Sequence, residues 1–255
     1  MILQKVNIFD LQIANVDMQE ACEEVVNLVN TQGKYHGVFT PNAHMTLMAI
    51  EDDNFKQILQ DASLLLADGM PVVWASKYFG TPLKGKVSGS TFFQESCATI
   101  SRYNLNAFFL GAMPGVAQLA ADKLKEKYPQ LNVVGCYSPD FGFENDPKEN
   151  GKIIELLKNS GADVLYVGLS EGKGEKWIVE NKERYQIPVS IQIGAAFDFA
   201  AGLKKIPPKT LKNVGLGWLW RLMHEPKRLW KRYLIKDIQI FEHIIKEKKK
   251  RKNYA

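Results

Sequence analysis

The chain has 255 residues, 45% hydrophobic and 24% charged, with a net charge of +5 at pH 7. That is an ordinary composition for a soluble protein, and enough chain for one sizeable core with an appendage. It holds no apolar run of about 18 residues, its N-terminus lacks the layout of a secretory signal, and Cys22, Cys97 and Cys136 form no C-x-x-C pair. These features argue against a membrane span, an export signal, a disulfide framework and a zinc site, so the expected setting is the reducing cytoplasm.

Residues 5–13 alternate and predict one or two short strands. Asp17 reads as the N-cap of a helix whose apolar positions are Ala21, Val25, Leu28 and Val29. A strand is expected over 35–40, helical segments within 43–61, and a second strand over 64–67. Both strands are short apolar runs stopped by polar residues, the first at Thr40-Pro41-Asn42 and the second at Asp68-Gly69. Such runs suit buried strands of a parallel sheet, whose ligands gather beyond the strands' carboxyl ends. Thr40, Asn42 and Asp68 are therefore candidate site residues, with Asp68 as the reactive carboxylate.

Further on, Pro71 opens a helix to Phe79, and Ser90 can cap one that runs to about Tyr103. Apolar runs at 107–110, 133–137, 164–167 and 189–193 alternate with helical patterns at 116–128, 149–159 and 175–184. This rhythm predicts βαβ units and a Rossmann-like parallel sheet flanked by helices. After Gly202 the breaker K-K-I-P-P-K marks a boundary, giving an α/β domain over 1–203 and a basic helical appendage over 204–255. Pro226 opens a last helix to about Lys246, and the lysine-rich end beyond it is expected to fray. The appendage carries 16 Lys/Arg against 4 Asp/Glu, or +12, whereas residues 1–203 carry 17 against 24, or −7. Charge this uneven points to a partner and not to the fold.

Several short motifs compete for function. Gly111-Ala112-Met113-Pro114-Gly115 joins a strand to a helix, where backbone N–H groups can hold phosphate, but it lacks G-x-G-x-x-G. Gly168-Leu169-Ser170-Glu171-Gly172 matches the nucleophile elbow G-x-S-x-G, which makes a serine hydrolase built on Ser170 a rival reading. Lys173-Gly174 misses the phosphate-loop spacing, and Asp140-Phe141-Gly142 has no kinase context around it. An Asp-Gly pair is also an ordinary turn, with Asp bonding its own backbone.

Taken together, Thr40-Pro41-Asn42-Ala43, Leu66-Ala67-Asp68-Gly69, Gly111 to Gly115 and Asp163 to Leu169 follow the order of the WecG/TagA/CpsF glycosyltransferases. So do Ile193 to Phe199, Gly215 to Leu222, Glu225-Pro226 and Arg232-Tyr233. The chain resembles this family, glycosyltransferase family 26, from about Asn7 to Tyr233. The resemblance implies a GT-E type fold and an inverting, metal-independent transfer that needs no cofactor. It implies a UDP-sugar donor and a polyprenyl-diphosphate-linked saccharide as acceptor, at the inner face of the bacterial cell membrane, in surface polysaccharide or teichoic acid synthesis. Asp68 would be the base, Thr40 and Asn42 the sugar pocket, and Gly111, Gly168, Lys173 and Asp198 further substrate contacts. Lys86, Arg221, Arg228 and either Lys231 or Arg232 would hold diphosphate.

The chain departs from the family pattern at Lys86, where the family has Arg, and at Thr91, where it has Asp. Gly174 replaces a pocket glutamine, Lys205-Ile206-Pro207 replaces R-A-P, and Gly217 replaces a glutamate. Loss of the carboxamide at 174 implies a donor other than the usual N-acetylmannosamine type, such as a related hexose or uronic acid. A non-enzymatic rival follows from the same departures, a degenerate nucleotide-sugar or lipid-binding module. In the tail, Trp218, Trp220, Trp230 and Tyr233 lie among arginines and lysines, a pattern that suits an anionic membrane surface. Nucleic acid is excluded as partner because the acidic body repels a long polyanion. Homo-oligomerisation is left open.

Overall fold

The computed structural model describes residues 3–208, 211 and 215–253. Parts of the breaker before Leu211 and the segment after it therefore lie outside the described residues, as does the last pair of the chain. Strands β1 (Lys5–Ile8) and β2 (Leu11–Ala14) pair as an antiparallel hairpin. Phe9 and Asp10 turn it with φ of 53° and 64°, the left-handed pair that a two-residue loop requires. Helix α1 (Met18–Val29) begins as predicted, with a reciprocal capping box between Asp17 and Glu20.

The main sheet has six parallel strands: β3 (His36–Phe39), β4 (Leu64–Leu65), β5 (Asn106–Gly111), β6 (Asn132–Tyr137), β7 (Val164–Gly168) and β8 (Val189–Gln192). Their spatial order is β4-β3-β8-β7-β5-β6. Helices α2 (Ala43–Glu51), α3 (Asp53–Gln60), α4 (Met70–Phe79), α5 (Gly89–Arg102), α6 (Val116–Lys127), α7 (Pro147–Lys158), α8 (Lys173–Tyr185) and α9 (Ala196–Ala200) make the connections and cover both faces. The α/β expectation holds. Residues alternate between two cores, as the pleat demands. Phe109 and Tyr166 meet Phe93 and Phe197 on one face, with ring centroids 5.0–5.6 Å apart. Leu165 and Val167 face Trp177 and Tyr185 on the other.

From Pro226 onward the chain departs from the expected single helix to about Lys246. Helices Gly217–His224 and Pro226–Lys231 lead into a π-helical turn, Arg232–Lys236, then a 3₁₀ turn, Asp237–Gln239, and a final helix, Ile240–Asn253. The widened turn presents Arg232 and Asp237 to the α/β body, where Arg232 meets Glu171 at 3.0 Å and Asp237 lies 3.4 Å from His44. The lysine-rich end is not frayed: it stays helical to Asn253 because it has something to pack on. Ile240 and Ile244 enter the core beneath one sheet face, and the Arg251 guanidinium lies 4.3 Å over Phe79 and donates to Asn7 O at 3.0 Å.

At the start of α8, Glu175 is 1% exposed and its carboxylate accepts from the Gly172 N–H at 2.7 Å. Burial pushes its pKa up to about 7 from an ordinary 4.5, partly offset by backbone N–H donors. The folded protein thus binds this proton more tightly than the unfolded chain. The resulting stability is full below pH 4.5 and is lost as the pH rises through 7. Wild type should lose on the order of 3 kcal/mol between about pH 5 and pH 8 that Glu175→Gln does not lose. Denaturant melts across that range check this, and equal pH slopes for the two proteins would refute it.

Candidate active site

The site forms where β3 and β4 end. Proline cannot donate to a ladder, so Pro41 stops β3, and Asn42 then caps α2 by accepting from the Met45 N–H at 3.1 Å. The Asp68 N–H donates to Pro41 O at 3.0 Å and ties the two strand ends together. Gly69, at φ +97°, makes the bend into α4 that a side chain would resist. A third segment is drawn in when the Val87 N–H bonds Ala67 O at 2.8 Å.

That segment decides what Asp68 does. Helix α5 starts at Gly89, one residue before the predicted Ser90 cap, and the Ser88 hydroxyl makes no capping bond. The Gly89 N–H donates instead to Asp68 Oδ2 at 3.1 Å. Asp68 therefore does not close a turn on its own backbone; it sits at a helix N-terminus, where a carboxylate is favoured. A Cβ on Gly89 would come within 3.1 Å of Thr40 Oγ1 and 3.4 Å of Asp68 Oδ2, so Thr40 and the carboxylate both crowd the start of α5. Gly89 carries no sequence signal as a site residue. Only the fold reveals that its missing side chain makes room.

Asp68 opens into a cavity of about 340 Å³. Its polar lining includes Asn42, Lys86, Ser88, Ser90, Arg221 and Arg232, and its apolar lining includes Met70 and the solvent-exposed Trp74, Trp218, Ile238 and Phe241, which form an apolar rim. Burial among protein atoms raises the pKa of Asp68, although the cavity leaves the residue some solvent contact. The Gly89 N–H, Arg221 and Lys86 pull it back down, and Glu171 adds to the rise. Arg221 stacks its guanidinium 5.7 Å over Phe199 and forms no salt bridge among the described residues. Its buried Nε has no hydrogen-bond partner there, nor does that of Arg232. Buried donors are rarely left unmet in a finished site, so Arg221 points to an anion, whereas Arg232 already faces the carboxylates of Glu171 and Asp237.

Arg232 reaches from the C-terminal helices to the α/β body. Its Nη2 donates to Glu171 at 3.0 Å and lies 3.5 Å from Asn42 Oδ1, and its Nε is 3.5 Å from Asp237 Oδ2. Asn42 Nδ2 donates to Glu171 Oε1 at 2.9 Å. Sequence reasoning found Asn42 and Arg232 but missed Glu171, which it read as turn. Asp237 and the histidine 3.4 Å from it, His44, were also missed, and neither lies in a motif.

Thus Asn42, Asp68, Lys86, Arg221 and Arg232 gather at one cavity, with Thr40 against the start of α5. The other expected residues stand apart from it. Lys173 pairs with Glu144, Asp198 with Lys204 at 3.5 Å, and Arg228 with Glu225 at 2.7 Å. Gly111 and Gly168 pair across β5 and β7, so close that a Cβ on Gly111 would lie 2.7 Å from Gly168 O. Gly174 has no room for a side chain, because its Cβ would meet the Gln192 carboxamide at 2.6 Å. That carboxamide donates to Leu169 O at 3.0 Å and accepts from the Gly194 N–H at 2.9 Å. No hydrolase triad assembles: among the described residues no hydrogen bond joins Ser170 to Asp198 or to a histidine, and His224 Nδ1 faces Trp220 O. No group of three or more His, Cys, Asp or Glu among the described residues is placed to hold a metal ion.

Comparison with known proteins agrees with this geometry. Residues 6–254 match the model of the "Glycosyl transferase WecG/TagA/CpsF family". N-acetylglucosaminyldiphosphoundecaprenol N-acetyl-beta-D-mannosaminyltransferases of Staphylococcus aureus strains MW2 and NCTC 8325 are 25% identical over 249 residues, 97% of this chain and 94% of theirs. That of strain MRSA252 is 26% identical over 250 residues, with the same coverage. With its parallel sheet, its buried aspartate and a match over nearly the whole chain, this protein belongs to the WecG/TagA/CpsF family of glycosyl transferases.

Proposed function

We propose that the protein transfers a hexosyl group, N-acetylmannosamine or a close relative, from a UDP-sugar to a polyprenyl-diphosphate-linked sugar, with inversion at the anomeric carbon. The observation that carries this reading is the Asp68 carboxylate, held at a helix N-terminus with Arg221, whose buried Nε has no hydrogen-bond partner among the described residues, lining the same cavity. In the proposed mechanism Asp68 takes the proton of the acceptor hydroxyl as its oxygen attacks the anomeric carbon. The bond from that carbon to the donor's diphosphate breaks, and UDP leaves with the extra charge. Lys86, Arg221 and Arg232 oppose that charge where it develops. An anion arriving beside Asp68 also needs those cations, since it would otherwise raise the carboxylate's pKa further.

The nucleotide end of the donor is proposed to run toward Gly111 and Gly168. There the crossover connections diverge, β5 leading to β6 and β7 to β8, and ligands of open α/β sheets favour such switch points. From β4 to β7 is three strand spacings, about 14 Å, a span suited to an extended nucleoside diphosphate sugar. The lipid-linked acceptor is proposed to enter over the apolar rim, with residues 204–255 resting on the anionic inner face of the cell membrane. Trp230, Ile235 and Met223 are 44%, 50% and 60% exposed, as interfacial anchors would be. No described helix is long and apolar enough to cross a membrane.

A panel of UDP-sugars offered with lipid-diphosphate-linked N-acetylglucosamine tests the reading. Asp68→Asn should cut turnover about 10²–10⁴-fold while UDP still binds. Equal turnover by both proteins would remove Asp68 as base, and UDP binding without transfer by either would favour a degenerate binding module. The pH profile supplies a second check. Asp68 works only when ionised, and burial raises its pKa, so the acid limb of kcat/KM should lie above the usual aspartate range. Arg221→Met removes a charge that favours the ionised form, so its limb should move to higher pH; an unmoved limb would show that Arg221 does not act on Asp68. For the membrane, Met223→Ser, Trp230→Ser and Ile235→Ser together should cut binding to anionic vesicles at least about tenfold. Unchanged vesicle binding by a folded triple variant would end that part of the proposal.

A further inference from the structure

Glu171 has no part in the transfer just described, yet it joins three elements at the cavity. It stands on the β7–α8 turn, and the next residue is fixed by the Gly172 N–H bond to the buried Glu175. Its Oε1 accepts from Asn42 Nδ2 at 2.9 Å, and Asn42 is itself held as the cap of α2. Arg232, on the π-helical turn, reaches the same carboxylate with Nη2 3.0 Å from either oxygen. The side chains of Arg232 and Glu171 are 22% and 26% exposed, so water and salt screen the pair less than a surface bridge.

The other contacts of Arg232 are weaker. Asn42 Oδ1, at 3.5 Å, already accepts from the Met45 N–H, and Asp237, at 3.5 Å, lies on the same short stretch and moves with it. Asp237 has its own tie to the body through His44 at 3.4 Å. Glu171 is therefore the fixed acceptor and Arg232 the arm that closes on it. A widened helical turn is where a helix can shift an arm without unwinding elsewhere.

We propose that Glu171 is the positioning residue for the C-terminal helices: its carboxylate locks Arg232 against Asn42 in the ligand-free protein, and it is the resident anion that an incoming diphosphate displaces. The second half rests on the UDP-sugar reading; the first does not. Ligand binding then exchanges one anion for another at Arg232, and the exchange couples an occupied cavity to release of the turn carrying Ile235 and of the adjoining helix that carries Trp230. A carboxylate competing with the ligand weakens binding in exchange for a docked, ordered resting state.

Glu171→Gln tests both halves, since it keeps shape and acceptor while removing the charge; Arg232→Met and the double variant complete a cycle. Without ligand, amide hydrogen exchange over residues 226–240 should quicken in Glu171→Gln at unchanged far-ultraviolet circular dichroism. UDP affinity, measured by calorimetry at low salt, should rise about three- to tenfold in Glu171→Gln. In the Arg232→Met background, Glu171→Gln should then change UDP affinity little. Exchange unchanged from wild type would overturn the lock, and UDP affinity unchanged or reduced in Glu171→Gln would overturn the displacement. Should wild type bind no UDP, the UDP-sugar reading fails, and the exchange measurement alone decides the lock.

Discussion

The hydrogen bond from the Gly89 N–H to Asp68 is the constraint around which the site is arranged. It joins the end of β4 to the start of α5, and it holds a carboxylate whose pKa burial raises. Two further backbone bonds hold the geometry: Asp68 N–H to Pro41 O, and Val87 N–H to Ala67 O. All three lie where strands finish, so the sheet positions the site without spending a strand residue on it. The opposing shifts at Asp68 follow from this placement. The proposed base needs a pKa high enough to accept a proton and a charge state that survives burial; desolvation favours the first, while the helix N-terminus and the cations favour the second.

The second half of the cavity comes from chain more than a hundred residues away. Arg221, Arg232, Tyr233, Ile238 and Phe241 all belong to the segment after residue 203. That segment is not tethered loosely to the α/β body. Ile240 and Ile244 share its core, Phe241 stands 6.2 Å from Trp74, and Arg251 covers Phe79. A wall built this way is bound to move when the helices move, which makes the contact of Arg232 with Glu171 consequential for the site.

What the sequence made legible was whatever depends on local pattern. The buried strands, the Asp17 cap and the polar ends of β3 and β4 all follow from periodicity and turn chemistry, and they place Thr40, Asn42 and Asp68 together. Gly89 and Glu171 were not legible, because a glycine needed for clearance and a turn glutamate with a partner 61 residues away leave no local pattern. The break in the last helix was hidden for a related reason. Leu229, Trp230, Tyr233, Leu234 and Ile238 recur at helical spacing, and nothing in that spacing marks the widened turn at which Arg232 meets Glu171 and Asp237 lies beside His44. Gly174 shows the same limit from the other side. Its missing carboxamide reads as a loss, yet the adjoining space holds the carboxamide of Gln192, which fastens the β7–α8 turn to the start of α9.

The charge asymmetry resolves once the ion pairs are followed. Every acid of the tail is met from within it or nearly so: Glu225 by Arg228 and Lys204, Asp237 by Arg232 and His44, Glu242 by Lys246, and Glu247 by Arg251. From the acidic body, Glu171 and Asp198 pair with tail cations. Among the described residues the rest of the body's negative charge forms no salt bridge with the tail. The fold therefore needs few of the tail's basic residues, and the surplus is left for something outside the molecule. Isolated surface charges contribute little to stability, so a surplus of this size is better explained by attraction to an anionic surface than by folding. In the proposed membrane-bound state an acidic body beside a basic tail favours an orientation with tail down and body repelled, and Trp218, Ile238 and Phe241 of that tail line the cavity proposed to receive the lipid-linked acceptor.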